Sequence, residues 1–287
     1  MKHRITSIAL IGLAALSACP ARGDLSLETE TARLVKPGHF EFSAAGEYQH
    51  SPQGEEYDIP LAIEWGVMPR LELLIEPVAY TVIRGPGGPA AKGIGDLELT
   101  IQYLVLDERR YFPAIAAAVE GRIPTARNRL IGSGVADYRV YVIASKQVGD
   151  FDFHFNAGYN VIGAPSGTKT KNPVDLEFAI EWFVHPKFDL FAEVNYVDSS
   201  RGASTAAAVS GGGSGEGGAL LHADSAQSFA LRGPRAGGAI TAEVAGTEIV
   251  GTAGIRYHLN PQVDVYTSLS YDNNYATLVR TGITWKL

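Results

Sequence analysis

Acidic side chains recur at alternate positions along most of the chain, and their type and spacing suit ion chemistry. Glu41, Glu47, Asp58, Glu64, Glu72, Glu76, Asp96, Glu98, Glu120, Asp137, Asp152, Asp175, Glu177, Glu181, Asp189, Glu193 and Asp264 all fall on the non-apolar side of alternating runs. The fixed cations on the same side are Arg122, Arg139, Arg256, Arg280 and Lys286, with His154 and His258 titratable. Seventeen carboxylates against five fixed cations, gathered on one enclosed surface, repel one another unless they hydrate, bind cations or take up protons. Such a surface favours cations and disfavours anions. The competing arrangement is a closed core, in which Arg–carboxylate clusters cross-link the wall and leave no continuous path. Tyr141, Phe183, Phe191 and Tyr266 fall on the same side. They could interrupt the carboxylates as an aromatic track, with space filling as the simpler role.

Catalytic chemistry has less support. His39, His50, His185, His222 and His258 fall at rims, turns or loops, and His154 faces inward. His50 and Ser51 are neighbours in sequence, which does not make them a base and its nucleophile. There is no GxSxG and no zinc spacing, and the GGGSGEGG tract lacks the Lys and following helix of a phosphate loop. The expectation is therefore no catalytic residue, no metal and no cofactor. A lipid-modifying enzyme dependent on His50 or His154 is the remaining alternative.

Period-two alternation is what positions these residues. FDFHFNAGYNV (151–161) places Phe151, Phe153, Phe155, Ala157, Tyr159 and Val161 on one face and Asp152, His154, Asn156 and Asn160 on the other. Twelve runs of this kind follow one another from Phe40 to the end, and alternation of this period means strands with one apolar and one polar face. Short turns separate them at one end. At the other, longer loops are expected at 50–56, 84–92, 125–134, 164–173 and 199–247. Tyr48, Tyr57, Tyr138, Tyr159, Tyr196 and Tyr271 sort to one end of the apolar faces. Phe40, Trp65, Tyr103, Phe151, Trp182, Phe188, Tyr257 and Trp285 sort to the other. Two aromatic girdles around an apolar band, with tight turns on one side, predict a single antiparallel transmembrane β-barrel of about 12 strands with both termini at the periplasmic end. A soluble sandwich has no reason to sort its rings by depth.

The rest of the 287 residues agrees with export. Lys2, His3 and Arg4 precede the apolar Ile5 to Ala18, so residues 1–23 read as a signal peptide and 24–287 as the barrel. Leu16-Ser17-Ala18-Cys19 also resembles a lipoprotein box that would lipidate Cys19, although Pro20 disfavours this. The expected location is the bacterial outer membrane. A net charge of −7 argues against a nucleic-acid partner. The Gly/Ala/Ser-rich stretch at 199–247 reads as a long extracellular loop, either flexible or a lid. Lys92, Arg127, Arg129, Lys169, Lys171 and Arg201 on the long-loop side suit lipopolysaccharide phosphates.

Several segments carry a family resemblance: GIGDLELTIQYLV, RIPTA with GSGVADYRV, SKQVGDFDFHFNAGYNVIG, EWFVHPKFDLFAEVN and GIRYHLNPQVDVYTSLSYD. Together they resemble the putative MetA-pathway of phenol degradation family, a group of outer-membrane barrels labelled as transporters. The resemblance runs from about residue 30 to the end, apart from the Gly-rich loop. It implies passage of small solutes, aromatic compounds among them, and supplies no catalytic residues. A passive channel with an acidic lumen lined by Glu64, Glu98, Glu120, Arg122, Arg139, His154, Glu177, Glu181, Glu193, Arg256 and Arg280 is the functional expectation. A closed structural or surface-interaction barrel worked through its 199–247 loop is the alternative.

The last residues, RTGITWKL, also alternate. Arg280, Gly282, Trp285 and Leu287 fit the polar–Gly–aromatic–apolar pattern read by the barrel-assembly machinery, with Leu in place of the usual Phe. Trp285→Asp, or a charged C-terminal extension, should block assembly and abolish the heat-modifiable folded band on gels. A normal folded band from such a variant would contradict the assignment.

Overall fold

The computed structural model describes residues 27–88, 90–128, 130–132, 134–163, 172–198 and 247–287. The expected signal peptide, Cys19 and nearly all of the 199–247 loop lie outside them. The strands are β1 (Phe40–Ser51), β2 (Gly54–Met68), β3 (Leu71–Arg84), β4 (Ala91–Gly93), β5 (Leu97–Leu106), β6 (Ala114–Ile123) and β7 (Asp137–Val148). They continue as β8 (Phe151–Val161), β9 (Val174–His185), β10 (Phe188–Asp198), β11 (Thr247–Asn260), β12 (Val263–Asp272) and β13 (Thr277–Lys286). All pairings are antiparallel and join neighbours in sequence, except that β5 pairs with β3 and not with β4, and β1 also pairs with β13. The sheet is thus a closed barrel with no free edge. β4 and β5 share one position beside β3, against Thr81–Ile83 and Leu71–Pro77 respectively, so thirteen segments make twelve positions. The interruption between them, not foreseen from the alternation, lies where the Gly95 N–H donates to the Val78 carbonyl at 3.0 Å.

Alternation settles which side each residue takes. Ile101, Val119, Val140, Val142, Val194 and Leu269 are exposed on the outer surface, while all seventeen carboxylates named above are buried inside. Outer rings pair across strands at both rims, as in Tyr48–Tyr57 (4.7 Å between centroids), Phe40–Trp65 (5.6 Å) and Phe151–Trp182 (5.6 Å). At the rim that holds both ends of the sheet, the connections are residues 69–70, 107–113, 149–150, 186–187 and 261–262. One expected long loop is absent at the other rim: β1 and β2 are joined by residues 52–53 alone. There Ser51 Oγ accepts the Gln53 N–H at 3.2 Å and donates to the Gly54 carbonyl at 3.3 Å, and Gly54 adopts φ 139°. A Cβ at Gly54 would lie 2.1 Å from the Arg84 carbonyl oxygen, so only glycine makes this turn.

The seam closes in full register from Glu41↔Lys286 to His50↔Thr277. Phe40 and Leu287 exchange both backbone hydrogen bonds, at 3.1 and 2.8 Å. Ser43 Oγ meets Thr284 Oγ1 at 2.8 Å inside, and Phe42 packs against Trp285.

Residues 27–39, which precede β1, do not hang outside the barrel. They fold back into it as a strap. Leu27 packs with Ala179 and Phe191, and Ala32 packs with Ala114, Ala116, Ala118, Tyr141 and Ile143. Lower down, a Cβ on Gly66 would come within 2.2 Å of the Lys36 carbonyl oxygen. The inner face of β6 is alanine over its first half because the strap occupies the space larger side chains would take.

Inward rings elsewhere lie over glycines of the next strand. A Cβ at Gly282 would meet the Tyr266 ring at 2.4 Å, and one at Gly254 would meet the Phe191 ring at 2.3 Å. Gly282→Ala should therefore cost about 1–3 kcal/mol through overpacking, read from the urea dependence of the folded gel band. That cost should shrink in a Tyr266→Ala background. An equal cost in both backgrounds would show that the ring is not what the glycine accommodates.

Candidate functional site

The register sets like charges side by side within the barrel. Glu41 faces Glu64 and Glu47 faces Asp58 across β1–β2, Glu76 faces Glu98 across β3–β5, and Asp152 faces Glu181 across β8–β9. Directly opposed like charges destabilise a sheet, so cations must stand close by. Arg122 gives Nε to Glu98 at 2.7 Å and Nη1 to Asp137 at 3.4 Å. Arg139 gives Nη2 to both Asp175 and Glu177 at 2.5 Å, with Nη1 3.8 Å from Glu120, and its guanidinium lies 4.2 Å from the centre of the Tyr141 ring. Glu177 also accepts from Asn156 Nδ2 at 2.8 Å. Arg256 bonds Glu181 at 2.9 Å and lies 3.9 Å from Asp189. At the short-turn rim, His258 sits between Asp189 (2.9 Å) and Asp264 (2.7 Å), and Lys286 Nζ bonds Asp264 at 2.7 Å. Breaking one partner out of a buried pair costs roughly 3–5 kcal/mol, so each cluster holds as a unit.

The strap supplies donors that the wall lacks. Glu193 accepts the backbone N–H groups of Glu28 and Thr29, both at 3.0 Å, and the Thr29 hydroxyl at 3.0 Å. The Ala32 N–H donates to Ser145 Oγ at 2.8 Å. Arg33 bridges Glu108 at 2.6 Å and Asp152 at 2.7 Å. The Val35 N–H donates to Glu72 at 2.5 Å. In return Gln102 Nε2 donates to the Thr31 carbonyl at 2.7 Å, and Arg280 clasps Glu28 of the strap while giving Nε to Glu47 at 2.6 Å. Arg280 therefore ties β13, β1 and the strap together. In the 107–113 turn, burial alone would raise the Glu108 carboxyl. Hydrogen bonds from Lys146 and the Gln147 N–H, with the charges of Arg33 and Lys146, outweigh this and hold it below the usual carboxylate value. Its hold on Arg33 is complete at neutral pH and fades only as pH falls through that lowered value.

The residues singled out from the sequence reach the interior in these clusters. Glu98, Glu120, Arg122, Arg139, Glu177, Glu181, Glu193, Arg256 and Arg280 are buried with the partners just given, and Glu64 is buried opposite Glu41. His154 Nδ1 meets Ser145 Oγ at 2.9 Å, and its Nε2 lies 3.8 Å from both Asp152 and Glu181. Tyr141, Phe191 and Tyr266 are buried, packed on Arg139, Gly254 and Gly282, which is space filling and not a continuous aromatic lining. Lys92 and Arg127 are exposed at the long-loop rim, while Arg129, Lys169, Lys171 and Arg201 lie outside the described residues. The terminal motif has local roles of its own: Arg280 in its ion pairs, Gly282 beneath Tyr266, Trp285 against Phe42, and Leu287 paired to Phe40. Glu28, Thr29, Ala32, Arg33, Val35 and Ser145 were not foreseen. The run of inward alanines at 114, 116 and 118 was the one signal in the sequence for an occupant there.

Comparison with known proteins agrees with this geometry. The NanC porin superposes with a TM-score of 0.56 at 12% identity, covering 86% of this chain and 100% of that one. The COG4313 outer membrane channel from Pseudomonas putida F1 gives 0.54 at 11% identity, covering 88% and 97%. The KdgM porin gives 0.50 at 9% identity, covering 85% and 99%. At such identities the likeness establishes the outer-membrane barrel fold. No curated protein matches the chain in sequence. Residues 71–232, more than half of the 287, match the family described as Putative MetA-pathway of phenol degradation, and the chain belongs to that family.

Proposed function

We propose that the barrel is a passive outer-membrane channel for small solutes, with a narrow acidic lumen that prefers cations. The observation that carries this reading is the buried carboxylate excess inside a closed wall of twelve positions. Twelve strands give a bore between filled eight-stranded barrels and open sixteen-stranded porins, and the strap narrows it further. The mention of phenol degradation in the family name makes aromatic compounds the first uncharged solutes to test. In this reading the short-turn rim faces the periplasm. Residues 1–23 are removed on export, in preference to lipidation at Cys19. Lys92 and Arg127 meet lipopolysaccharide phosphates, and Arg280, Gly282, Trp285 and Leu287 are read by the barrel-assembly machinery before they close the seam.

No catalytic role is assigned to the interior. Ser145 and His154 are within hydrogen-bond distance, but Ser145 is 0% exposed and its Oγ is capped by the Ala32 N–H. The two carboxylates near His154 Nε2, both at 3.8 Å, are beyond hydrogen-bond reach, so the ring is not oriented as a general base. The strap itself favours one second reading, a closed barrel working through its 199–247 loop.

Planar-bilayer recording of refolded protein separates the two. Small, cation-selective conductance steps are expected. Anion selectivity, or no conductance together with no solute flux in liposomes, would remove the channel reading.

A further inference from the structure

We propose that the strap occupies a binding site for a linear, protonated oligoamine, a solute whose successive N–H donors match the acceptors the strap now fills. This deepens the channel reading and rests on it.

The wall presents its acceptors to the strap in order along the barrel: Glu193, Ser145, Asp152 with Glu108, and Glu72. Against them the strap places N–H groups, four from the backbone and one guanidinium. Glu193 and Glu72 receive only uncharged donors from it, backbone N–H groups and the Thr29 hydroxyl. A hydrogen bond with both donor and acceptor ionised is shorter and stronger than one with a neutral amide donor, so an ammonium group would suit those two carboxylates better than the strap does. A second observation points to the same place. Asp152 Oδ1 and His154 Nε2, on residues that are 4% and 3% exposed, have no hydrogen-bond partner among the described residues. Both sit where the strap inserts Arg33. The interval from Thr29 to Arg33, which separates Glu193 from Asp152, is four residues, at most ~14 Å of extended chain and within the reach of a linear tetraamine; Glu72 lies two residues farther on, opposite Val35. A compact divalent ion cannot bridge acceptors so far apart. The strap thus acts as an internal competitor, holding the acidic path with weak donors until a stronger linear donor displaces it.

The test is spermine binding to the folded full barrel in detergent, by calorimetry, in a Cys19→Ser background carrying Ala32→Cys and Ser145→Cys. Oxidation ties the strap to the wall where Ala32 and Ser145 already touch. Spermine affinity should be at least about tenfold weaker in the oxidised than in the reduced protein. Equal affinity in the two states, or no binding by the reduced protein, overturns the proposal. Should the disulfide not form, Glu193→Gln and Asp152→Asn in the otherwise unaltered chain should each weaken binding by a similar factor, and unchanged affinity overturns it equally. A barrel that conducts but binds spermine equally in both states loses the site and keeps the channel reading. One that shows the expected difference without conducting keeps the site and loses the channel.

Discussion

A backbone N–H or C=O left unpaired in lipid costs several kcal/mol, and this constraint shapes everything else in the molecule. It forces each strand to have two neighbours, so β13 must return to β1, and it does so in continuous register from Glu41↔Lys286 to His50↔Thr277. Closure in turn inverts the usual polarity of a protein. Because side chains alternate, putting valine, isoleucine and tyrosine against lipid puts every second residue inside. In this chain many of those second residues are carboxylates.

The interior then has an electrostatic problem, and it is solved in two ways. Arg122, Arg139, Arg256 and Arg280 each serve two or more carboxylates and hold neighbouring strands together. Where arginine runs out, the chain uses its own backbone. The strap carries neutral N–H groups to Glu193 and Glu72, and Arg33 to Asp152 and Glu108. Neutral donors are a modest answer to a buried negative charge, since a bond to a charged group contributes about 1.5–3 kcal/mol, far below the desolvation of an isolated ion. An interior balanced in this way retains an appetite for cations, which is the physical link from sequence to proposed function.

The strands were legible because period two is a local property: Phe151 to Val161 shows both faces within eleven residues. The inward direction of Glu98, Arg139 or Glu193 followed from the same rule. The strap was not legible. Many of its contacts are made by backbone N–H groups, which every non-proline residue carries, and they reach partners 37 to 165 positions away, Glu72 for Val35 and Glu193 for Glu28. The break between β4 and β5 and the two-residue turn at 52–53 escaped for a related reason, since each depends on the fit of one glycine to a neighbouring strand. Gly282 shows how a motif can carry two meanings. The sequence suggested an assembly signal, and the structure adds a seat for the Tyr266 ring.

The central claim is that residues 27–36 lie inside the barrel and satisfy wall carboxylates with their own N–H groups. Hydrogen–deuterium exchange on the folded protein tests it without altering a residue. The account predicts that the amides of Glu28, Thr29, Ala32 and Val35 exchange far more slowly than those of an unstructured chain. Complete exchange of this segment at the earliest time point, with β1 and β13 still protected, would contradict it.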